Sequence, residues 1–144
     1  MVSMIRDDGR VMTQPDIPHA EPKLGKVAVI YTKPETVIQD YARLLDLAEY
    51  ETALSPGIDT FLKVNISWQH YYPACSSAPW QIDGVAQKLM ADGFKNIIAA
   101  HNGTVVVDPV EGRENNKHKI VEDRLGLDHI TLDVPPVKWV PYRP

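Results

Sequence analysis

The chain has 144 residues, 44% of them hydrophobic, with 15 Lys+Arg against 19 Asp+Glu for a net charge of −4. That length suits one domain with a real core, and the acidic balance, with no Lys/Arg cluster, argues against a nucleic-acid partner. The one cysteine, Cys75, forms no internal disulfide and no Cys-x-x-Cys pair, and no stretch approaches the ~18 consecutive apolar residues of a membrane span, so a soluble cytoplasmic protein with no membrane partner is expected.

In chain order, residues 1–25 carry Pro15, Pro18 and Pro22 among polar residues without periodicity and read as an extended or disordered leader. The run KVAVIY (26–31) is short, apolar and β-branched and reads as a buried strand. Pro34 suits a first helical turn, and Val37, Tyr41, Leu44, Leu45 and Ala48 follow at helical spacing until Ser-Pro-Gly at 55–57. A second unit is clearer. FLKVNI (61–66) reads as a strand, while Ile82, Val85, Ala86, Leu89, Met90 and Phe94 mark a helix face that Gly93 is placed to end. NIIAA (96–100) reads as a parallel strand beside the first, since a strand-helix-strand crossover sets its strands side by side. A strand-like piece at 104–107, a polar stretch at 111–119, a short helix at 120–125 ending on Gly126, and a last strand at 129–133 complete the pattern.

The expectation is therefore an α/β fold: an open, mostly parallel sheet of about four strands with helices on its faces, Rossmann-like but lacking the Gly-x-Gly-x-x-Gly dinucleotide fingerprint. It spans 26–134, and the Pro-rich tail 135–144 suits neither a helix nor a central strand.

In such sheets the ligand crevice lies beyond the carboxyl ends of the strands. Lys63 and Asn65 are two apart and share one strand face, which pairs a cation with an amide near that edge. Lys63 meets either an anionic ligand or a carboxylate such as Asp133 or Asp108, or else it protects an edge strand from mispairing. The Ser76-Ser77-Ala-Pro79 junction opens the second helix, with Ser77 close to the cap. Free N–H groups there make an anion site, or the serine is a structural cap alone. His101 and Asn102 end the next strand, and His101 is a candidate proton-transfer group near neutral pH. His70, Cys75 and His101 lack any recognised ligand spacing, so no metal site is expected. The charges from Glu111 to Arg124 read as a solvated face, with Arg113 and Lys117 able to fold over a ligand. Trp68, Tyr71 and Tyr72 either floor a pocket or cover the sheet end.

Three stretches, Lys63-Val64-Asn65, Ser76-Ser77-Ala78-Pro79 and Asp92-Gly93-Phe94-Lys95-Asn96, follow one another as in the domain-of-unknown-function 362 family, and the chain resembles the N-terminal part of that family over residues 27–133. The resemblance implies the same α/β fold and a role for Lys63 and Asn65. Members of that family are usually several hundred residues long, and some carry an iron–sulfur module further on. One cysteine cannot supply four thiolates, so any cluster would belong to a longer version of the protein. His101-Asn102-Gly103 stands where the family commonly has an acidic or Gly/Ser-rich turn. Two functions are consistent with these features: binding of a small anionic molecule at the strand edge by Lys63, Asn65, Ser76, Ser77 and Asn102, or a non-catalytic portion of a longer redox or scaffold protein whose remaining chain, or a partner subunit, completes the sheet. Neither reading names a reaction.

Overall fold

The computed structural model describes residues 27–72 and 74–141, preceded by a short antiparallel pair, β1 (Met4–Ile5) and β2 (Val11–Met12). The rest of the expected leader lies outside the described residues. A helix α1 (Val37–Leu47) and a one-turn 3₁₀ helix (Tyr50–Thr52) lead into β3 (Thr60–Lys63), α2 (Pro79–Ala91), β4 (Ile97–His101), α3 (Pro109–Asn115), α4 (His118–Leu125) and β5 (Asp128–Thr131).

The sheet has three parallel strands in the order β3-β4-β5, close to the four expected, and the α/β fold stands. β4 is central, and all five of its residues are buried, which is why its sequence is apolar without alternation. Strand order follows chain order, so both crossovers step the same way along the sheet, and connections of one hand then lie on one face. The packing agrees. Leu62 and Ile97 sit with Val85 and Leu89 of α2, while Val64 meets Ile82 of α2 and Val121 of α4. Arg124 of α4 and Asp83 of α2 add an ion pair at 2.6 Å. α1 lies against α2 so closely that a Cβ on Gly84 would come within 2.7 Å of the Tyr41 Cβ. At that crossing the Lys88 ammonium reaches Asp46 at 2.7 Å and Asp92 at 2.9 Å.

Four expectations are corrected. Residues 27–32 are not a strand, and Val27, Val29 and Tyr31 are exposed: β-branched composition suits a pleated surface, but a strand exists only where an edge pairs with it. Pro34 lies in the turn before α1, which begins at Val37 after the N-cap Thr36. Residues 104–107 bend instead of pairing, because the Thr104 hydroxyl accepts the Val107 N–H at 3.1 Å and turns the chain towards α3. The polar stretch 111–119 is largely helical. Asp108 caps α3 by accepting the N–H groups of Val110 (2.9 Å) and Glu111 (3.0 Å), and Pro109 fills the first turn.

Candidate functional site

The strand register sorts the candidate residues between the two sheet faces. Leu62 aligns with Ala99 and His129, and His101 with Thr131, so His101 and His129 point towards α2 and α4. Lys63 aligns with Ala100 and lies on the opposite face, on an edge strand and exposed. Its ammonium donates to the Val64 carbonyl at 3.3 Å. Neither carboxylate suggested for it is engaged there: Asp133 accepts the Gly103 N–H at 2.6 Å, and Asp108 caps α3. Lys63 and His101 therefore share a strand end but not a face.

Asn65, Ser76 and Ser77 are brought together, with their side chains turned on the loop itself. The Ser77 hydroxyl accepts the Asn65 N–H at 2.9 Å, and the Ser76 hydroxyl accepts the Ser67 N–H at 3.2 Å. The Asn65 amide donates to the Ser67 hydroxyl (2.7 Å) and the Cys75 carbonyl (3.0 Å). Ser77 is not the cap of α2. Ala78 occupies that position, extended as a residue before proline prefers, and the Gln81 side chain accepts its N–H at 2.7 Å. Asn102 is exposed at the turn after β4, as is Cys75 on its loop. Among the described residues no three His, Cys, Asp or Glu groups are placed to hold a metal ion.

Behind the carboxyl edge lies a polar cluster that sequence reasoning missed. His101 of β4 is 1% exposed, and His118 and Glu122, one turn apart on α4, are fully buried. The His101 and His129 rings lie with centroids 4.8 Å apart. Glu122 Oε2 accepts the Arg113 Nε–H at 2.5 Å, and His129 Nδ1 lies 3.0 Å from the same oxygen. Among the described residues, both ring nitrogens of His101, the Nδ1 of His118 and the Oε1 of Glu122 have no hydrogen-bond partner. Unmet polar atoms at such depth are costly and uncommon, and they concentrate where a protein does something besides fold.

Burial, then the neighbouring His129, pushes His101 down to about 4, so its imidazole is neutral at pH 7. Burial also pushes His118 down, against the opposing effect of its bond to the Ser77 carbonyl. For Glu122 burial alone would raise the carboxyl, but the contacts and charge of His129 and Arg113 outweigh it and hold the group below its ordinary value. Glu122 is thus a buried carboxylate facing a half-buried guanidinium, with neutral His101 and His118 beside it.

The same hairpin grips the loop between β3 and α2. The Asn115 amide donates to the Gln69 carbonyl and the Asn116 amide to the Trp68 carbonyl, each at 2.9 Å, and His118 Nε2 lies 2.6 Å from the Ser77 carbonyl, which makes that nitrogen the N–H. Gly112 lets α3 sit on the loop, since a Cβ there would fall 2.5 Å from the Ile66 Cγ2. The loop's backbone is fixed while Trp68, Tyr71 and Tyr72 stay exposed. Two sequence signals pointed here: Asp108-Pro109 as a helix start, and His118-x-x-x-Glu122 as one helix face.

No family model matches the chain, and none of the curated proteins or solved structures compared with it is similar.

Proposed function

We propose that the carboxyl edge of this sheet binds a small anionic ligand, with Lys63 supplying the charge and Asn102 a hydrogen-bonding amide. One observation carries this reading: the Lys63 ammonium stands exposed at the end of β3, meets no carboxylate among the described residues, and has a carbonyl 3.3 Å away as its partner. Parallel sheets collect ligands at that edge. Asn65, Ser76 and Ser77 serve it indirectly, by holding the loop that borders it. The buried His101 lies behind the edge as a neutral group, and no reaction is assigned to it.

The test is thermal unfolding with inorganic phosphate or sulfate, against chloride at equal ionic strength. The oxyanions should raise the Tm of the wild-type chain, Lys63→Ala should remove the rise, and Lys33→Ala, at an exposed lysine in the turn before α1, should keep it. Equal rises in wild type and Lys63→Ala would take Lys63 out of the site and leave it the role of guarding an edge strand.

A second reading is supported by the apolar side chains exposed at the same edge: Trp68, Tyr71 and Tyr72 on the loop after β3, Val105 and Val106 on the loop after β4, and Val110 in the first turn of α3. Exposed apolar groups gathered on one edge mark surfaces that other protein covers. On this reading the domain is the N-terminal portion of a longer protein resembling the domain-of-unknown-function 362 family, and the downstream chain or a partner subunit covers the edge. A longer version in which these six side chains are protected from solvent supports it, and one in which they remain exposed removes it.

A further inference from the structure

The α3–α4 hairpin has two working sides. One holds the main chain of the loop between β3 and α2 through Asn115, Asn116 and His118, whose contacts with Gln69, Trp68 and Ser77 fall on three carbonyls of that one loop. The other is formed by Glu122, whose charge reaches His101 of β4 and whose Oε2 lies 3.0 Å from His129 Nδ1 of β5, with His118 facing Glu122 and His129. His118 belongs to both sides. A change at the imidazoles therefore reaches the loop through the hairpin, with His118 as the side chain common to both sides.

We propose that the hairpin is an acid-released clamp: it holds the loop at residues 65–77 while His101 is neutral, and uptake of a proton by His101 opens the hairpin from the sheet and frees that loop. Among the described residues His101 has no hydrogen-bond partner for either ring nitrogen, and at 1% exposure a cation formed there has no water. The groups that face it do not replace that water. From β5 come His129 and, beyond the strand's end, Asp133, which already accepts the Gly103 N–H. Lys63, on the opposite face of β3, adds only a like charge. From α4 comes Glu122, with one oxygen already engaged by Arg113 and close to His129. His118 in turn faces Glu122, His129 and Arg113. Parting α4 from β4 and β5 admits water to His101 and withdraws His118 from Ser77 in one movement. This inference goes beyond the anion reading and stands whether or not the edge binds a ligand.

Hydrogen exchange of the full chain, followed by mass spectrometry and corrected for the intrinsic pH dependence of amide exchange, tests it. Opening linked to one such proton grows by up to about tenfold per pH unit between 6.5 and 4, most steeply in the middle of that window. Peptides covering 65–77 and 109–125 should lose protection together, about fifteenfold between pH 6.5 and pH 5. Peptides of α1 and α2 should keep theirs. His101→Gln should make the acid response smaller. Asn116→Ala should loosen residues 65–77 at both pH values. Should His101→Gln fail to fold, NMR of ring-labelled histidines in the wild-type chain serves in its place: the His101 titration and the loss of loop protection must share a midpoint. Unchanged loop protection at pH 5, loss spread equally over every peptide, a His101→Gln response as large as wild type, or separate midpoints would each overturn the clamp.

Discussion

The Nε2 of His118 lies 2.6 Å from the carbonyl oxygen of Ser77, joining the first residue of α4 to the loop that leads into α2, forty-one positions earlier in the chain. Because Nε2 must be the donor, the other nitrogen, Nδ1, is a bare acceptor in a fully buried ring. One contact thus sets the tautomer of a core histidine and fixes a surface loop.

Removing that contact should be felt in stability as well as in the loop. His118→Ala deletes a buried ring and leaves the Ser77 carbonyl without its donor, a loss of about 2–4 kcal/mol. His118→Gln, which keeps a donor at similar reach, should lose less. Urea unfolding gives both values, and an alanine variant as stable as wild type would show that the 2.6 Å contact contributes nothing.

Stability should fall in acid in two windows. His101 takes up its proton at about 4 in the folded chain and near 6.5 when unfolded. Between those values the unfolded chain holds the extra proton. The contribution of neutral His101 is whole above pH 6.5 and is lost as the pH falls towards 4, at up to about 1.4 kcal/mol per pH unit. His118, also held down by burial, acts in the same direction below 6.5. Glu122 works lower: its carboxyl is held down in the fold, so its contribution is present above 4.5 and is lost as the pH falls through its folded value. Urea midpoints that stay level from pH 6.5 to 4.5 would contradict the upper window.

The Arg113–Glu122 pair should show strong coupling. Glu122→Gln leaves the half-buried guanidinium facing a neutral amide and should cost about 3 kcal/mol, as should Arg113→Met, which strands the buried carboxylate. The double variant Arg113→Met/Glu122→Gln removes both charges and should recover much of that loss. Additive losses in this cycle would mean that the 2.5 Å contact carries no coupling energy.

Gly112→Ala tests how tightly α3 sits on the loop. Its Cβ would fall 2.5 Å from the Ile66 Cγ2, so the hairpin must shift, at about 1–3 kcal/mol. Exchange at residues 65–77 should rise in this variant at neutral pH. A variant with wild-type stability and unaltered loop exchange would show that α3 has room to move.

The sequence by itself determined the local elements with strong periodicity. β3, α2, β4, α4 and β5 lie close to their expected places because apolar spacing, Pro79 and the glycines at 93 and 126 act over a few residues. It also gathered Asn65, Ser76 and Ser77 at one junction, and the structure joins them there. The tertiary structure decided which polar residues meet. Pairing of β4 with β5 turned His101 inward to His129, and the docking of α4 set Glu122 near both and His118 beside Glu122 and His129, although Glu122 lies in a charge run that reads as solvated. Strand pairing also left residues 27–32 unpaired and put Lys63 on an edge, on the face away from His101. Periodicity reports the faces of each element alone, whereas register and helix docking are long-range choices, and in this chain they separate the lysine at the rim from the histidines in the core.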